Sequence, residues 1–258
     1  RHTTTMVTLD TSEDLQRLVD SGVVAVMRGA DADTIIDVAS ALKDGGVTAF
    51  EITADNPDAM GLIAQVSASF DDSEAIVGAG TVLDSATARA AIGSGAEFVV
   101  GPTFDPGVVE TCNRYGVPVA PGVLTPTEAV TACEAGADIA KVFPASSMGP
   151  GHLSSIAGPL PQIPLMPTGG VDVDNAGEYI RAGAAVAGAG SALMDDDAIA
   201  AGDLGSHTET ARGRPPAIED ARAPRAAGRG ALGPPPVDVA PRRRIDAGRR
   251  RERAPLPD

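Results

Sequence analysis

Two charged residues interrupt apolar segments that otherwise favour buried β-strands. Glu51 lies within Ala49–Thr53 (AFEIT), and Lys141 lies within Asp138–Phe143 (DIAKVF). A buried charge is costly unless it is paired, so one interpretation is a structural Glu–Lys ion pair. The other is amine–carbonyl chemistry, with the lysine as Schiff-base nucleophile and the glutamate as proton shuttle.

Glu51 and Lys141 lie at the C-terminal ends of their strands, where barrel enzymes carry catalytic residues, and this favours the chemical interpretation. The alternation of side chains along a strand predicts where Glu51 points. Phe50 and Ile52 share one face of their strand, so Glu51 lies on the other face together with Thr53. If the two apolar residues pack under helices, Glu51 points away from the helices, into the space that a closed sheet would enclose. By analogy, we expect Lys141 to point into the same space.

Glycine-rich turns follow the last two apolar segments and suggest an anion site. Thr168, Gly169 and Gly170 follow one segment, and Gly190 and Ser191 follow the other. Backbone amides of such loops bind phosphate, although each glycine pair alone is a weak signal. Their occurrence after two consecutive strands favours a phosphate site.

Two further polar residues end apolar segments. Arg28 follows VVAVM and is a candidate ligand for a carboxylate or phosphate, or a partner for a surface acid. Thr81 follows Gly80 and is placed to bind a carboxylate, although a threonine there is often only a cap.

The elements that carry these residues recur at a steady interval. Sequence patterns typical of helices lie between the apolar segments. Several of these patterns begin with Asp, Ser, Thr or Pro and end with Gly. Eight short apolar segments begin near Gly22, Ala49, Ala75, Glu97, Val117, Asp138, Pro164 and Ala185. Strict βα alternation predicts a parallel sheet, and eight units predict a (β/α)8 TIM barrel over residues 1–211. A doubly wound open sheet is the alternative, weakened because no Gly-x-Gly-x-x-Gly follows the first strand.

Charge divides the 258 residues into two regions. Residues 1–211 carry a net charge of −21, which disfavours nucleic acid and anionic membranes and is typical of proteins that stay soluble in strong salt. Residues 212–258 contain 12 arginines and nine prolines, and we expect a disordered tail. A basic nucleic-acid arm is one interpretation of this tail. Out-of-frame translation of a GC-rich gene explains the composition better, because the codons of Arg, Pro, Ala and Gly begin with two G or C bases. The nucleic-acid interpretation is weakened because no aromatic residue is interleaved for base stacking.

Several classes of protein are disfavoured by what the sequence lacks. It has no run of about 18 apolar residues and no apolar secretory segment near its first residue. Cys112 and Cys133 lack metal-type spacing, so we expect neither a disulfide framework nor a metal site. These features predict a cytoplasmic protein.

Six segments together resemble one family of bacterial and archaeal sugar-acid enzymes. They are VAVMRG (24–29), FEIT (50–53), VGAGTV (77–82), KVFPAS (141–146), PTGGV (167–171) and GAGS (188–191). This set is similar to the class I aldolases of 2-keto-3-deoxy-6-phosphogluconate (KDPG) and 2-keto-3-deoxy-6-phosphogalactonate (KDPGal), over roughly residues 15–200.

The resemblance implies a role for each candidate residue. Lys141 would form the Schiff base, with Glu51 as general acid/base. Thr81 and Arg28 would hold the pyruvate carboxylate. The implied phosphate ligands are Gly169, Gly170, Gly190 and Ser191, and Pro102 and Thr168 complete the implied substrate site. The family uses no metal or other cofactor and is usually trimeric, so the implied partners are a phosphorylated sugar acid, pyruvate and two further copies of the chain.

The chain departs from the family pattern in two places. Some members carry an arginine shortly after the glutamate of the second strand, whereas this chain has Thr53–Pro57 (TADNP), which leaves the C4 epimer preference open. The family also ends in a long amphipathic helix, which here would begin near Ser206 and look truncated at Arg212.

The leading function is cleavage of KDPG to pyruvate and D-glyceraldehyde 3-phosphate. Within the same chemistry, KDPGal or 4-hydroxy-2-oxoglutarate (KHG) is the alternative substrate. A more distant alternative is a sugar-phosphate-binding or isomerising barrel in which Lys141 is only a counter-ion. A nucleic-acid binder that uses the arginine-rich tail is the remaining class.

Overall fold

The computed structural model describes residues 11–29, 31–172, 174–190 and 193–212. Its helices are α1 (Thr11–Asp20), α2 (Ile35–Asp44), α3 (Ala59–Ser67), α4 (Ser85–Gly93), α5 (Pro106–Tyr115), α6 (Pro126–Glu134), α7 (Gly149–Ala157), α8 (Ala176–Arg181), α9 (Asp196–Ala201) and α10 (Leu204–Arg212). Its strands are β1 (Val23–Met27), β2 (Ala49–Thr53), β3 (Ile76–Gly80), β4 (Phe98–Val100), β5 (Val119–Ala120), β6 (Gly122–Val123), β7 (Ala140–Val142), β8 (Leu165–Pro167) and β9 (Ala187–Ala189). In this part of the chain, no helix has the length and apolar character needed to cross a membrane.

All strand pairings are parallel, as the βα alternation predicts. One sheet has the order β5-β4-β3-β2-β1-β9, and the other has the order β6-β7-β8. β5 and β6 are two halves of the fifth predicted strand, separated at Pro121, which has no N–H to continue the ladder. Single bridges from Leu165 to Ala184 and from Thr168 to Gly188 join β8 to the segment of β9. The two sheets are thus joined at one end by these bridges and at the other by the chain itself at Pro121. This gives the eight-stranded TIM-like architecture predicted from the sequence.

Local sequence signals set where several helices begin. Asp84 caps α4 by accepting a hydrogen bond from the N–H of Thr87. Asp105 caps α5 in the same way, with Pro106 in its first turn. Thr125 and Glu128 form a capping box at the start of α6. Each side chain satisfies a backbone N–H that the first turn of a helix leaves without an intrahelical partner.

Apolar side chains form two cores on opposite faces of the sheet. The outer core lies between strands and helices and includes Phe50 and Ile52. The inner core fills the barrel and includes Val24, Ala49, Ile76, Phe98 and Met166. Helix α1 closes the N-terminal end of the barrel with three buried side chains, Leu15, Leu18 and Val19.

Helix α10 covers the barrel beside α2. It begins at Leu204, two residues before the predicted start, and its Thr208 hydroxyl donates to the carbonyl of Ala41 at 3.0 Å. Ala211 is fully buried at its end. The predicted truncation of this helix and the predicted tail fall mostly on residues 213–258, which lie outside the described residues.

Candidate active site

The inner face of β2 carries the two polar residues that the alternation predicts. Phe50 and Ile52 belong to the outer core, while Ala49 belongs to the inner core. Glu51 and Thr53 therefore lie on the inner face, and each is only 1% exposed. A carboxylate and a hydroxyl are thus enclosed among apolar residues near the C-terminal end of the barrel.

Lys141 meets Glu51 inside the barrel, from a strand of the other sheet. Its Nζ lies 3.9 Å from Oε1 of Glu51, and the two side chains are 5% and 1% exposed. This separation makes an ion pair but is too long for a direct hydrogen bond. The second carboxyl oxygen, Oε2, has no hydrogen-bond partner among the described residues. The ring of Phe143 lies beside the amine, with its centroid 5.4 Å from Nζ.

A glycine leaves the space that the Glu51 side chain occupies, and another lies on the strand next to Lys141. A Cβ at Gly80 would lie 2.5 Å from the carboxyl carbon of Glu51, so the glutamate side chain lies directly over this glycine. Gly122 is paired with Lys141 across the β6–β7 ladder. A Cβ at Gly122 would overlap the carbonyl of Pro102, so that predicted site residue lies beside β6, the strand next to that of the lysine.

Arg28 and Thr81 approach each other at the rim of the barrel. The distance from Arg28 Nη2 to Thr81 Oγ1 is 3.4 Å, and Nη1 of Arg28 forms an ion pair with Asp55. The ion pair is the acid partner that was one of the two alternatives for Arg28, and its role as an anion ligand stays a prediction. Thr81 has a φ of 55°, a conformation that is uncommon for residues other than glycine and that clusters at functional sites.

Thr168 points into the same interior from β8. It is 6% exposed, and its Oγ1 has no partner among the described residues. A Cβ at Gly188 would overlap this hydroxyl oxygen, so the glycine of β9 leaves space for the threonine. Gly169 and Gly170 follow with φ values of 86° and 76°, which form a tight glycine-only turn at the strand end.

The second glycine-rich segment is described only in part. A Cβ at Gly190 would make an ordinary van der Waals contact of 3.7 Å with Val26 of β1. β1 is paired with β9, so Gly190 lies near the rim beside the end of β1. Ser191, the remaining predicted phosphate ligand, lies outside the described residues.

Thr53 is the site residue that the sequence reasoning missed as a functional candidate. Its Oγ1 is buried without a partner in the described part of the chain, like Glu51 Oε2. The signal was present, because Thr53 shares the strand face of Glu51. A threonine within a strand, however, is equally explained by its preference for β-structure.

A surface groove of about 750 Å³ lies elsewhere, at the N-terminal end of the barrel. It is lined by residues of α1 and of the segments that precede β2 and β3, among them Arg17 and Glu74. Arg17 is engaged there in an ion pair with Glu97 and in hydrogen bonds to two backbone carbonyls. None of the predicted site residues lines this groove. The described residues also contain no group of three or more His, Cys, Asp or Glu side chains arranged to hold a metal ion.

Comparison with curated proteins finds aldolases over most of the barrel. The chain is 36% identical over 197 residues to the 2-dehydro-3-deoxy-phosphogluconate aldolase of Treponema pallidum, covering 76% of this chain and 91% of that protein. It is also 36% identical over 171 residues to the 2-dehydro-3-deoxy-6-phosphogalactonate aldolase of Escherichia coli, covering 66% of this chain and 83% of that protein.

A solved structure and a family sequence model agree with these relatives. A KDPG aldolase from Legionella pneumophila, with pyruvate captured as a covalent carbinolamine intermediate, superposes with a TM-score of 0.71 at 27% identity. The superposition covers 77% of this chain and 96% of that one. The sequence model of the KDPG and KHG aldolases matches residues 15–209, which span every strand of the barrel. This chain therefore belongs to the KDPG and KHG aldolase family.

Proposed function

We propose that this protein is a class I aldolase that cleaves KDPG into pyruvate and D-glyceraldehyde 3-phosphate. The observation that carries the proposal is the enclosed Lys141–Glu51 pair, with 3.9 Å between Nζ and Oε1 and the second carboxyl oxygen unpartnered. A structural ion pair would gain most from direct hydrogen bonds, whereas this spacing leaves the nucleophile and the proton carrier open to a substrate.

Lys141 is the nucleophile of the proposed reaction. Its amine adds to the C2 carbonyl of the substrate to form a carbinolamine, and loss of water then gives an iminium ion. Glu51, 3.9 Å away, is placed to donate the proton that leaves with the hydroxyl group. The positive iminium nitrogen then draws electrons from the C3–C4 bond.

Glu51 also carries the proton of the cleavage step. Its carboxylate takes the proton from the C4 hydroxyl as the C3–C4 bond breaks, which releases the aldehyde and leaves an enamine on Lys141. The carboxyl group returns the proton to C3, and addition of water to the iminium carbon releases pyruvate. One proton carrier is sufficient because Glu51 alternates between acid and base.

The remaining predicted residues orient the substrate in this proposal. Arg28 and Thr81 bind the carboxylate at the rim, on strands adjacent to that of Glu51. The hydroxyl of Thr168 and the carbonyl of Pro102 line the interior. The proposed phosphate ligands are Gly169, Gly170, Gly190 and Ser191. Loop amides after the last two strands of a TIM barrel form such sites in many enzymes, and this supports the assignment.

KDPGal and KHG are the alternative substrates. The chain is equally identical to a phosphogluconate aldolase and to a phosphogalactonate aldolase, which leaves open which C4 epimer of the substrate it prefers. The rim itself differs from the pattern in which an arginine follows the strand-two glutamate, because Asp55 lies in that segment and pairs with Arg28 from the preceding strand. KHG lacks a phosphate, so it reports on the proposed phosphate site.

The test measures pyruvate release from all three compounds by a coupled lactate dehydrogenase assay. We expect the highest kcat/KM with KDPG, and a higher value with KDPGal would reverse the epimer assignment. Glu51→Gln should lower kcat by about 10²–10⁴-fold, the usual contribution of general acid–base catalysis. Glu134→Gln, at an exposed position of α6, is the matched control.

A second arm tests the phosphate site. Ser191→Asp should raise KM for KDPG far more than for KHG, because a carboxylate there repels phosphate. Equal effects on both substrates would place the phosphate elsewhere. Failure to release pyruvate from any of the three compounds, with sugar phosphates still bound, would favour the non-aldolase barrel.

The assembly and location of the enzyme are further parts of the proposal. We expect a homotrimer in the cytoplasm, on the basis of the family resemblance and the sequence features. We also propose that the acidic region 1–211 forms the whole catalytic unit and that residues 212–258 contribute nothing to it. Deleting 212–258 should therefore leave kcat nearly unchanged, and sedimentation equilibrium should give three chains per particle.

A further inference from the structure

Thr53 lies beside the two rim residues on the neighbouring strands, level with Arg28 and one residue short of Thr81. Arg28 follows Met27, which is paired with Ile52, so the arginine is level with Thr53 across the β1–β2 ladder. Thr81 follows Gly80, which is paired with Thr53 across the β2–β3 ladder. Three adjacent strands therefore bring a guanidinium and two hydroxyls to one part of the rim.

The buried hydroxyl of Thr53 makes no hydrogen bond to the described part of the protein. The residue is 1% exposed, and its Oγ1 has no partner among the described residues. A buried hydroxyl without a hydrogen bond destabilises a fold, so valine, which has the same shape, would suit this position better on stability alone. An unpartnered polar atom that faces an enclosed site is typical of a group that binds a ligand.

We infer that the hydroxyl of Thr53 donates a hydrogen bond to the carboxylate of the 2-keto acid, and so completes a carboxylate pocket with Arg28 and Thr81. This inference rests on the proposed function. A carboxylate is favoured over a sugar hydroxyl because the two flanking groups are a cation and a hydroxyl donor. The proposed phosphate ligands follow β8 and β9, so they do not compete for this position.

The geometry of Arg28 leaves a donor free for such a pocket. Its Nη1 is engaged with Asp55, while Nη2 lies 3.4 Å from Oγ1 of Thr81. That distance is near the limit of a hydrogen bond, so a carboxylate oxygen beside Nη2 would gain a stronger, charge-assisted contact. The hydroxyl of Thr53 supplies a third donor, from the inner face of β2 that also carries Glu51.

The experiment measures reductive trapping as a function of pyruvate concentration in the full-length protein. The variants are Thr53→Val, which removes only the hydroxyl, and Thr53→Ser, which keeps it. Thr111→Val changes a buried threonine of α5 and serves as the control. Acetone, an uncharged ketone without a carboxylate, is trapped in parallel with cyanoborohydride.

We expect Thr53→Val to raise the half-saturating pyruvate concentration by roughly 10- to 100-fold, the range for a hydrogen bond to a charged group. Thr53→Ser and Thr111→Val should stay close to the unchanged protein, and acetone should be trapped equally well by all four. Thr53→Val should also be at least as stable to urea as the unchanged protein when no pyruvate is present.

The outcomes separate this inference from the proposed function. Normal trapping of the unchanged protein, with the same half-saturation in Thr53→Val, would refute the carboxylate contact and leave the aldolase intact. An equal loss for pyruvate and acetone would show a structural role for Thr53 and would also overturn the inference. No adduct with the unchanged protein would remove the proposed function and this inference with it.

Discussion

Replacing Lys141 by methionine should destabilise the folded chain, because it leaves the Glu51 carboxylate buried without its cation. Glu51 is 1% exposed, its Oε1 pairs with Lys141, and its Oε2 has no hydrogen-bond partner among the described residues. Removing one partner of a buried ion pair typically costs about 3–5 kcal/mol in the free energy of unfolding. We expect a loss in that range at pH 7.

The coupling between the two charges can be worked out from their distance. Two unit charges 3.9 Å apart attract each other by about 4 kcal/mol at an effective dielectric constant of ~20. The double variant Lys141→Met/Glu51→Gln removes both charges and should recover part of what each single change loses. A double-mutant cycle should therefore give a coupling free energy of about 2–4 kcal/mol, reduced from the full attraction by structural relaxation.

The assay is urea denaturation at pH 7 and one fixed chain concentration, because the proposed trimer would make the midpoint concentration-dependent. The exposed pair Lys43–Glu74 is the matched control, with 2.7 Å between its charged atoms. It should couple much more weakly, because solvent screens surface charges. Additive effects of the two buried changes, within about 0.5 kcal/mol, would refute the placement of Glu51 and Lys141 in one enclosed site.

Three other changes test separate parts of the account. Gly80→Ala should displace the Glu51 carboxyl group, because the new Cβ would overlap it. Displacing a general acid–base group should lower kcat at least about tenfold. Gly151→Ala, at a position of α7 with open space, should leave kcat unchanged, and equal activity of the two variants would contradict this prediction. Two backbone N–H groups at the start of α6 hold the pKa of Glu128 below its ordinary value of 4.5, so Glu128→Gln should lower stability by about 0.5 kcal/mol at pH 7. That difference should vanish as the pH falls through the lowered pKa in urea titrations, and a pH-independent difference would exclude the carboxylate as its source. Burial raises the pKa of Cys112 to about 12, so mass spectrometry should find this thiol alkylated at pH 8 only after unfolding, and modification of the native protein would contradict its burial.

The barrel and its central pair were predictable because both leave periodic signals. Short apolar segments at intervals of 20–27 residues predict βα units, and the structure has a strand at each of them. Two-residue periodicity placed Glu51 on the face opposite Phe50. A charge within a strand that is buried on both faces is rare enough to indicate function.

Other features depend on contacts that no local pattern records. The ion pair between Arg28 and Asp55 joins loops that follow different strands, 27 residues apart. The absence of a partner for Thr53 Oγ1 is a property of the whole interior, while threonine itself is common in strands. Helix α1 is different: it was not predicted, although Leu15, Leu18 and Val19 recur at the i, i+3, i+4 spacing of one helix face.

The most direct test of the central claim is reduction of the protein with borohydride in the presence of pyruvate, followed by peptide mapping. The chain contains only two lysines, Lys43 and Lys141, so the map distinguishes them without ambiguity. Lys43 is partly exposed in α2 and pairs with Glu74, which favours its charged, unreactive form. We expect one reduced pyruvyl adduct, on Lys141. An adduct on Lys43, or no adduct in a protein that still cleaves KDPG, would contradict the Schiff-base assignment.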